Sequence, residues 1–333
     1  MERQDLHPSQ LLEISGNYWR ACTLHAGVKL DLFTFLGNKQ LTSEEISQEL
    51  NGEKRGVTPL LNALTAMDIL TKDGDIYSNT KSSATFLSKE SPQYIGHIII
   101  HHSHLVDLWQ KLDQSVKTGK PLLKGVSDIT EEWREGFLMG MFNMAMMLAP
   151  MIVNNIDLSN KRHMLDLGGG PGTYAIHFCL KNPQLKATVY DFPTTRPFAK
   201  KAIERFDLAN RIDFIEGNYI EEDIKGSYDV IWLSHILHGE GPDDCQKIIK
   251  KAVEALESGG MIMIHDFLLK KTMDGPVFPA LFSLNMLLVT PNGQAYSEEQ
   301  IIDMLDRSGV KEIKRIPLEM PNDSGVITGV VNG

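Results

Sequence analysis

A chain of 333 residues is long enough for two domains with separate cores. Its 43 acidic against 33 basic residues leave a formal charge of −10, which argues against a nucleic-acid backbone as partner but not against a small ligand in a local pocket. Hydrophobic residues at 42% and charged residues at 23% describe an ordinary globular composition rather than a disordered or membrane-embedded one.

From Pro8 to about Pro150 the patterns are mostly helical; beyond Lys161 short β-rich runs alternate with helical ones, as in a parallel α/β sheet. Thr42-Ser-Glu-Glu45 reads as a helix start, with Ile46 and Leu50 on one face. After Gly52, the spacing of Leu60, Leu61, Leu64, Met67 and Leu70 predicts a second helix over Val57–Leu70, followed by a turn between short strands in Thr71–Tyr77. Helix, helix and wing make a winged-helix arrangement. The Val57–Leu70 run has no Lys or Arg, so packing or dimerisation fits it better than a DNA groove. Long helices are expected over Gln93–Thr118 and Thr130–Ile156. The second carries Met139, Met141, Met144, Met146 and Met147, a stripe suited to a core or to a malleable pocket wall. His101, His102 and His104 before Trp109 suit either a polar helix face or a pocket edge.

Further on, strands are expected at His163–Leu167, Ala187–Asp191, Ile212–Glu216, Tyr228–Leu233 and Met261–His265, with helices near Thr195–Phe206 and Pro242–Leu256. A terminal hairpin is expected from Val310–Pro317 and Gly325–Val331. This pattern predicts a Rossmann-like doubly wound sheet over residues 105–333, linking helices 105–156 included, behind a helical winged domain over residues 1–104. The ligand of such a sheet sits at the carboxyl ends of its strands.

The turn Asp166-Leu-Gly-Gly-Gly-Pro-Gly172 places four glycines in five positions after an apolar strand, where the main chain can approach a ligand without a Cβ between. Counting from Gly168 and Gly170, Thr173 stands where a dinucleotide fingerprint needs its third glycine. Asp166, just before the turn, suits a cationic amino-acid moiety better than a pyrophosphate. Asp191, ending the next strand, can accept from both hydroxyls of a ribose.

Together with Tyr-Asp191-Phe-Pro, Gly217-Asn-Tyr, Asp229-Val-Ile-Trp-Leu-Ser-His-Ile-Leu-His238 and Phe142-Asn143-Met144-Ala145-Met146, this chain resembles the S-adenosylmethionine (SAM)-dependent O-methyltransferases of the caffeic acid, hydroxyindole and polyketide-tailoring type. The resemblance spans nearly the whole chain. It implies a homodimeric enzyme that moves a methyl group from SAM, leaving S-adenosylhomocysteine, to a hydroxyl of a small, aromatic acceptor. It also implies that Gly168, Gly170 and their neighbours hold the methionine part, Asp191 the ribose, and Asn218 and Tyr219 the adenine. Ser234 stands where plant members carry a cofactor-binding Lys, and Phe142, Met146 and Met286 match positions lining the acceptor pocket. His238 aligns with the general base and Asp266 with the acid that orients it. Three positions depart from the pattern: Asn218 stands where the family usually has an Asp, Ala295 where it has a Glu, and Glu240 where it often has a Trp.

Carbon or nitrogen methylation by the same fold, an NAD-dependent oxidoreductase, and a SAM-binding regulator remain alternatives. No metal is expected, since His235-x-x-His238 is a loose ligand spacing. Cys22, Cys179 and Cys245 are expected as reduced thiols. The polar start Met1-Glu-Arg-Gln-Asp-Leu-His-Pro8 and the lack of an apolar run near the roughly 20 residues of a membrane span lead to an expected cytoplasmic location.

Overall fold

The computed structural model describes residues 5–123 and 130–332, so the first four residues of the polar start lie outside the described part. The chain divides into two compact units: Met1–Val106 with Glu132–Asn143, and Asp107–Glu131 with Met144–Gly333.

The first unit opens with helices α1 (Pro8–Gly16), α2 (Tyr18–Lys29) and α3 (Leu32–Leu36). Strand β1 (Leu41–Thr42) and helices α4 (Ser43–Glu49) and α5 (Lys54–Ala66) follow. Next come β2 (Leu70–Asp73), β3 (Ile76–Asn79), α6 (Lys81–Phe86) and α7 (Gly96–Trp109). Helix α4 starts where expected because Thr42 and Glu45 close a capping box: the Glu45 amide donates to Thr42 Oγ1, and the Thr42 amide to the Glu45 carboxylate at 2.7 Å. Leu32, Phe33, Leu36, Ile46, Leu61 and Leu64 are fully buried at the centre. Helix α5 ends at Ala66, four residues earlier than its apolar spacing suggests, since Leu70 is taken up as the buried first residue of β2. It also begins earlier, so its first turn carries Lys54 and Arg55, and the expected absence of basic residues on this helix does not hold. No residue of α1 is buried, and Leu12 and Trp19 are 73% and 67% exposed, leaving an apolar surface open along α1 and the start of α2.

The expected Gln93–Thr118 helix is two: α7 and α8 (Leu112–Thr118), with the break at Gln110–Lys111, where neither Gly nor Pro marks it. Helix α9 (Glu131–Asn154) matches its expectation, but the reading of membrane spans needs correction. Trp133–Asn154 is long and apolar enough to cross a membrane by length and composition. Ala149, Ile152 and Val153 of that stretch are buried in the protein.

In the second unit, β4 (His163–Leu167), α10 (Thr173–Lys181), β5 (Lys186–Asp191), α11 (Arg196–Arg205), β6 (Ile212–Glu216), β7 (Tyr228–Ser234), α12 (Pro242–Glu254) and β8 (Leu256–Leu269) alternate in the α/β manner. The chain closes with α13 (Val277–Val289), β9 (Tyr296–Ser297), α14 (Glu298–Arg307), β10 (Val310–Arg315) and β11 (Ser324–Val331). Among the described residues the sheet runs β10-β11-β8-β7-β4-β5-β6, with β9 added beside β8. Strands β8, β7, β4, β5 and β6 are parallel, and β11 enters antiparallel between β8 and β10. Leu165, Val189, Ile231 and Trp232 are fully buried, as expected of parallel strands covered by helices on both faces. Leaving β4, the chain first builds outward through β5 and β6, then returns to place β7 on the other side. The carboxyl end of β4 is therefore the switch point where such sheets open a ligand crevice.

Two boundaries differ from expectation. Helix α12 ends at Glu254 because Leu256 already pairs with Tyr228, and β8 runs straight through Gly259–Gly260, ahead of its expected start at Met261. The irregularity is absorbed as a register shift against β7 between Tyr228 and Val230. Helix α13 had no counterpart in the sequence reading, because its near-continuous apolar run has no clear period.

Candidate active site

Gly168, Gly170 and Gly172 take φ of +67°, +53° and +75°, a left-handed backbone that side-chain-bearing residues adopt only with strain. The turn so made leads into α10, whose N-cap is Gly172 with no side-chain cap. Beneath it lies Asp166, buried at the end of β4. Its Oδ2 accepts the Ala175 amide at 3.1 Å, and its Oδ1 has no partner among the described residues. Burial, opposed by the Ala175 bond and aided by the charge of Asp191, pushes its pKa up to about 7. A buried carboxyl with an unmatched oxygen beneath a glycine turn fits a cationic ligand such as the ammonium and sulfonium groups of SAM. Such a ligand favours the ionised carboxyl and so lowers its pKa in the complex. Affinity should then be level above pH 7 and fall as pH drops through it, by about tenfold per unit while the free carboxyl is protonated and the bound one is not. Titration calorimetry of S-adenosylhomocysteine from pH 8 to 5.5 checks this; a flat profile that is the same in Asp166→Asn would exclude it.

Asp191 ends β5 and is tied on both oxygens: the Gly170 amide donates to Oδ2 at 2.7 Å and the Phe192 amide to Oδ1 at 2.6 Å. Burial raises its pKa, against these bonds and one from Thr195. Each oxygen keeps a lone pair for a ligand hydroxyl. Beyond β6, Asn218 Oδ1 accepts the Ile220 amide at 3.0 Å, which leaves its amide nitrogen as the part able to meet a base. Tyr219 is buried with its ring 5.5 Å from that of Phe192. Ser234, the last residue of β7, is bonded through Oγ to His265 Nδ1 at 2.9 Å, so its hydroxyl is already engaged within the protein.

On the other side of the crevice the turn after β7 carries His238 onto the end of β8. His238 Nδ1 lies 2.6 Å from Asp266 Oδ1, and its main-chain amide donates to Oδ2 at 3.3 Å. The Phe267 amide also donates to Oδ1, at 2.8 Å. Burial alone would raise the pKa of Asp266, but the adjoining His238 and His235 outweigh it and hold the carboxyl well below the usual range. With Nδ1–H given to Asp266, His238 keeps its lone pair on Nε2. Its ring lies nearly parallel to Phe267 at 5.9 Å and edge-on to Phe282 at 4.8 Å. The aromatic support that Glu240 does not supply thus comes from β8 and α13.

Phe278, Phe282 and Met286 recur at four-residue steps along one face of α13, and Phe267 packs on both phenylalanines at 4.9 and 4.7 Å. Asn285 on the same helix accepts from Trp109 Nε1 at 3.1 Å. Met146 is half-buried on α9, and Phe142, also half-buried, belongs to the first unit. Ala295 is fully buried and carries no acid; its amide donates to Ser283 Oγ. Gly293 presses on the main chain before β9: a Cβ there would meet the carbonyl oxygens of His238 and Gly239 at 2.5 and 2.8 Å. Sequence reasoning missed Phe267, Phe278 and Phe282, which lie on two elements and show no motif. It noted His235 only as a loose metal spacing. Among the described residues, the donor atoms of His235, His238 and Asp266 all lie within 4.8 Å of one another.

A glycine turn with a buried acid, a second acid at the end of the next strand and a histidine–aspartate pair across the crevice define a nucleoside-binding transferase. The O-methyltransferase domain family matches residues 109–311, and the O-methyltransferase dimerisation domain matches residues 12–89. The 3-hydroxy-5-methyl-1-naphthoate 3-O-methyltransferase of Streptomyces sahachiroi is 30% identical, over 97% of this chain and 95% of its own. The acetylserotonin O-methyltransferase of Gallus gallus is 27% identical, over 92% and 93%. An O-methyltransferase family protein from Burkholderia thailandensis superposes with a TM-score of 0.89 at 26% identity, covering 99% of both chains. The chain belongs to the SAM-dependent O-methyltransferase family.

Proposed function

We propose that this enzyme methylates a hydroxyl on a flat aromatic acceptor, with His238 as general base and Asp266 as its positioning partner. The observation that carries the reading is the 2.6 Å contact of His238 Nδ1 with Asp266, set among the rings of Phe267 and Phe282. Bound SAM supplies an activated sulfonium methyl group. Asp191 holds the ribose, Asn218 and Tyr219 flank the adenine, and the Gly168–Gly172 turn, with Asp166 beneath it, receives the methionine end. Ser234 acts here through His265. The wall formed by Phe267, Phe278, Phe282 and Met286 orients an aromatic ring so that its hydroxyl meets Nε2 of His238, which takes the proton as the oxygen forms its new bond. The two relatives named above support this acceptor class, since each is named for methylating an oxygen of an aromatic compound.

The chain works as a homodimer built on the residue 1–104 domain, with the residue 105–333 domain as the catalytic one. The exposed apolar side chains of Leu11, Leu12, Ile14, Tyr18 and Trp19 support dimerisation, because large apolar groups clustered in the open mark contact surfaces more often than free ones. Free Cys22, Cys179 and Cys245 suit a reducing, cytoplasmic setting. Transfer of labelled methyl from SAM to a panel of phenols, hydroxynaphthoates and hydroxyindoles tests the proposal. Product labelled on oxygen is expected; label on carbon or nitrogen alone would overturn the acceptor assignment.

A further inference from the structure

His235 is the third member of a cluster with His238 and Asp266, and the reaction just described does not use it. It stands at φ +57°, a left-handed conformation uncommon for a residue with a side chain. Its amide is fixed to the His265 carbonyl at 2.8 Å, and its ring is held 4.5 Å from Phe267 and 4.4 Å from His265. So placed, its Nδ1 faces Asp266 Oδ1 at 3.6 Å, the same oxygen that His238 contacts, and has no hydrogen-bond partner among the described residues. The gap exceeds a hydrogen bond by about 0.7 Å, so the two groups interact as close electrostatic neighbours. The His235 side chain is 24% exposed against 13% for His238, so both imidazoles are partly buried where they meet one oxygen of the buried carboxylate.

We propose that His235 is a positioning residue that shares the Asp266 carboxylate with His238 and thereby sets how strongly His238 binds a proton. The inference rests on the assignment of His238 as base. A carboxylate divided between two donors attracts the proton on either less than a carboxylate devoted to one. Without His235 the full charge of Asp266 falls on His238, whose proton affinity rises. At a given pH more of it is then already protonated and unable to act as base. The sign is the same if His235 is cationic, because removing a like charge also favours protonated His238.

The other groups facing the pair do not supply this sharing. Burial holds His265 on β8 well below its usual range and therefore neutral. Burial also pushes Cys245 on α12 up to about 12 and Tyr296 on β9 higher still, leaving both uncharged. Glu240 on the turn, raised by burial and by Asp244, adds negative charge near His238 and so acts in the opposite direction from His235.

The test is the titration of the His238 ring, followed by NMR in histidine-labelled protein saturated with S-adenosylhomocysteine and assigned by its loss in His238→Ala. His235→Ala and His235→Leu should each raise the midpoint by about half to one pH unit. His235→Asn tolerates the same backbone conformation and places an amide donor near the Nδ1 position, so it should return the midpoint to within about 0.2 units of wild type. The acid limb of the kcat/KM profile should move with it. An unchanged midpoint in His235→Ala with S-adenosylhomocysteine affinity intact, or rescue by Leu as complete as by Asn, would overturn the proposal. Because the titration needs no turnover, it stands apart from failure of the methyl-transfer reading. That failure would leave the midpoint shift in place and remove only the kinetic one.

Discussion

His238→Ala is expected to lower the rate of methyl transfer by roughly 10²- to 10⁴-fold, the usual contribution of a positioned general base. Alignment of acceptor and methyl donor survives the change, so a residual rate above background should remain. The ring of His238 is held by a different set of partners from those of the proposed cofactor site. It contacts Asp266, Phe267 and Phe282 rather than Asp191 or Tyr219. S-adenosylhomocysteine affinity should therefore change by no more than about threefold. Single-turnover transfer of labelled methyl, with calorimetry of the same preparation, checks both halves. Should transfer persist within about threefold of wild type, the proton leaves by another route and His238 is structural.

Asp191→Ala should reverse the pattern, with cofactor affinity falling by about 10²-fold while the chemistry of fully bound enzyme changes less. Two hydrogen bonds to a charged acceptor at about 1.5 kcal/mol each amount to about 3 kcal/mol, roughly a hundredfold in Kd. The loss includes a second part, since Asp191 also receives the Gly170 and Phe192 amides that shape the turn. Asp191→Asn can still accept one of those amides and should fall between alanine and wild type. Equal affinity for S-adenosylhomocysteine in wild type and Asp191→Ala would remove the ribose from this site.

Much of the second unit could be read directly, because parallel strands buried on both faces are short apolar runs and the breaks between them fall at Gly, Pro and Asp. His163–Leu167 and Ile212–Glu216 have the expected ends, and the glycine turn and Asp191 lie at adjacent strand ends as their spacing implied. Reading failed where tertiary context decides between two tolerable states. Leu70 continues a helical stripe in sequence but is buried as a strand residue, and the half-buried Leu256 at the end of α12 is likewise taken into a strand. Val277–Val289 is apolar on nearly every side and so carries no phase from which to infer a helix. At the site, the residues carrying acid or imidazole could be named from motifs. The rings around them could not, since Phe267 and Phe282 meet His238 only once β8 and α13 are packed.

The close fit of Gly293 against the carbonyls of His238 and Gly239 bears on how such an enzyme can diversify. The turn that carries His238, the proposed base, is braced by main chain resting on main chain, at a place where no side chain fits and variation has little room. The proposed acceptor wall, by contrast, includes a row of side chains on α13, of which Phe278 still reaches the surface at 36% exposure. Changes along that helix can alter which ring is held without shifting the group that takes its proton, so acceptor choice and proton transfer are open to separate selection.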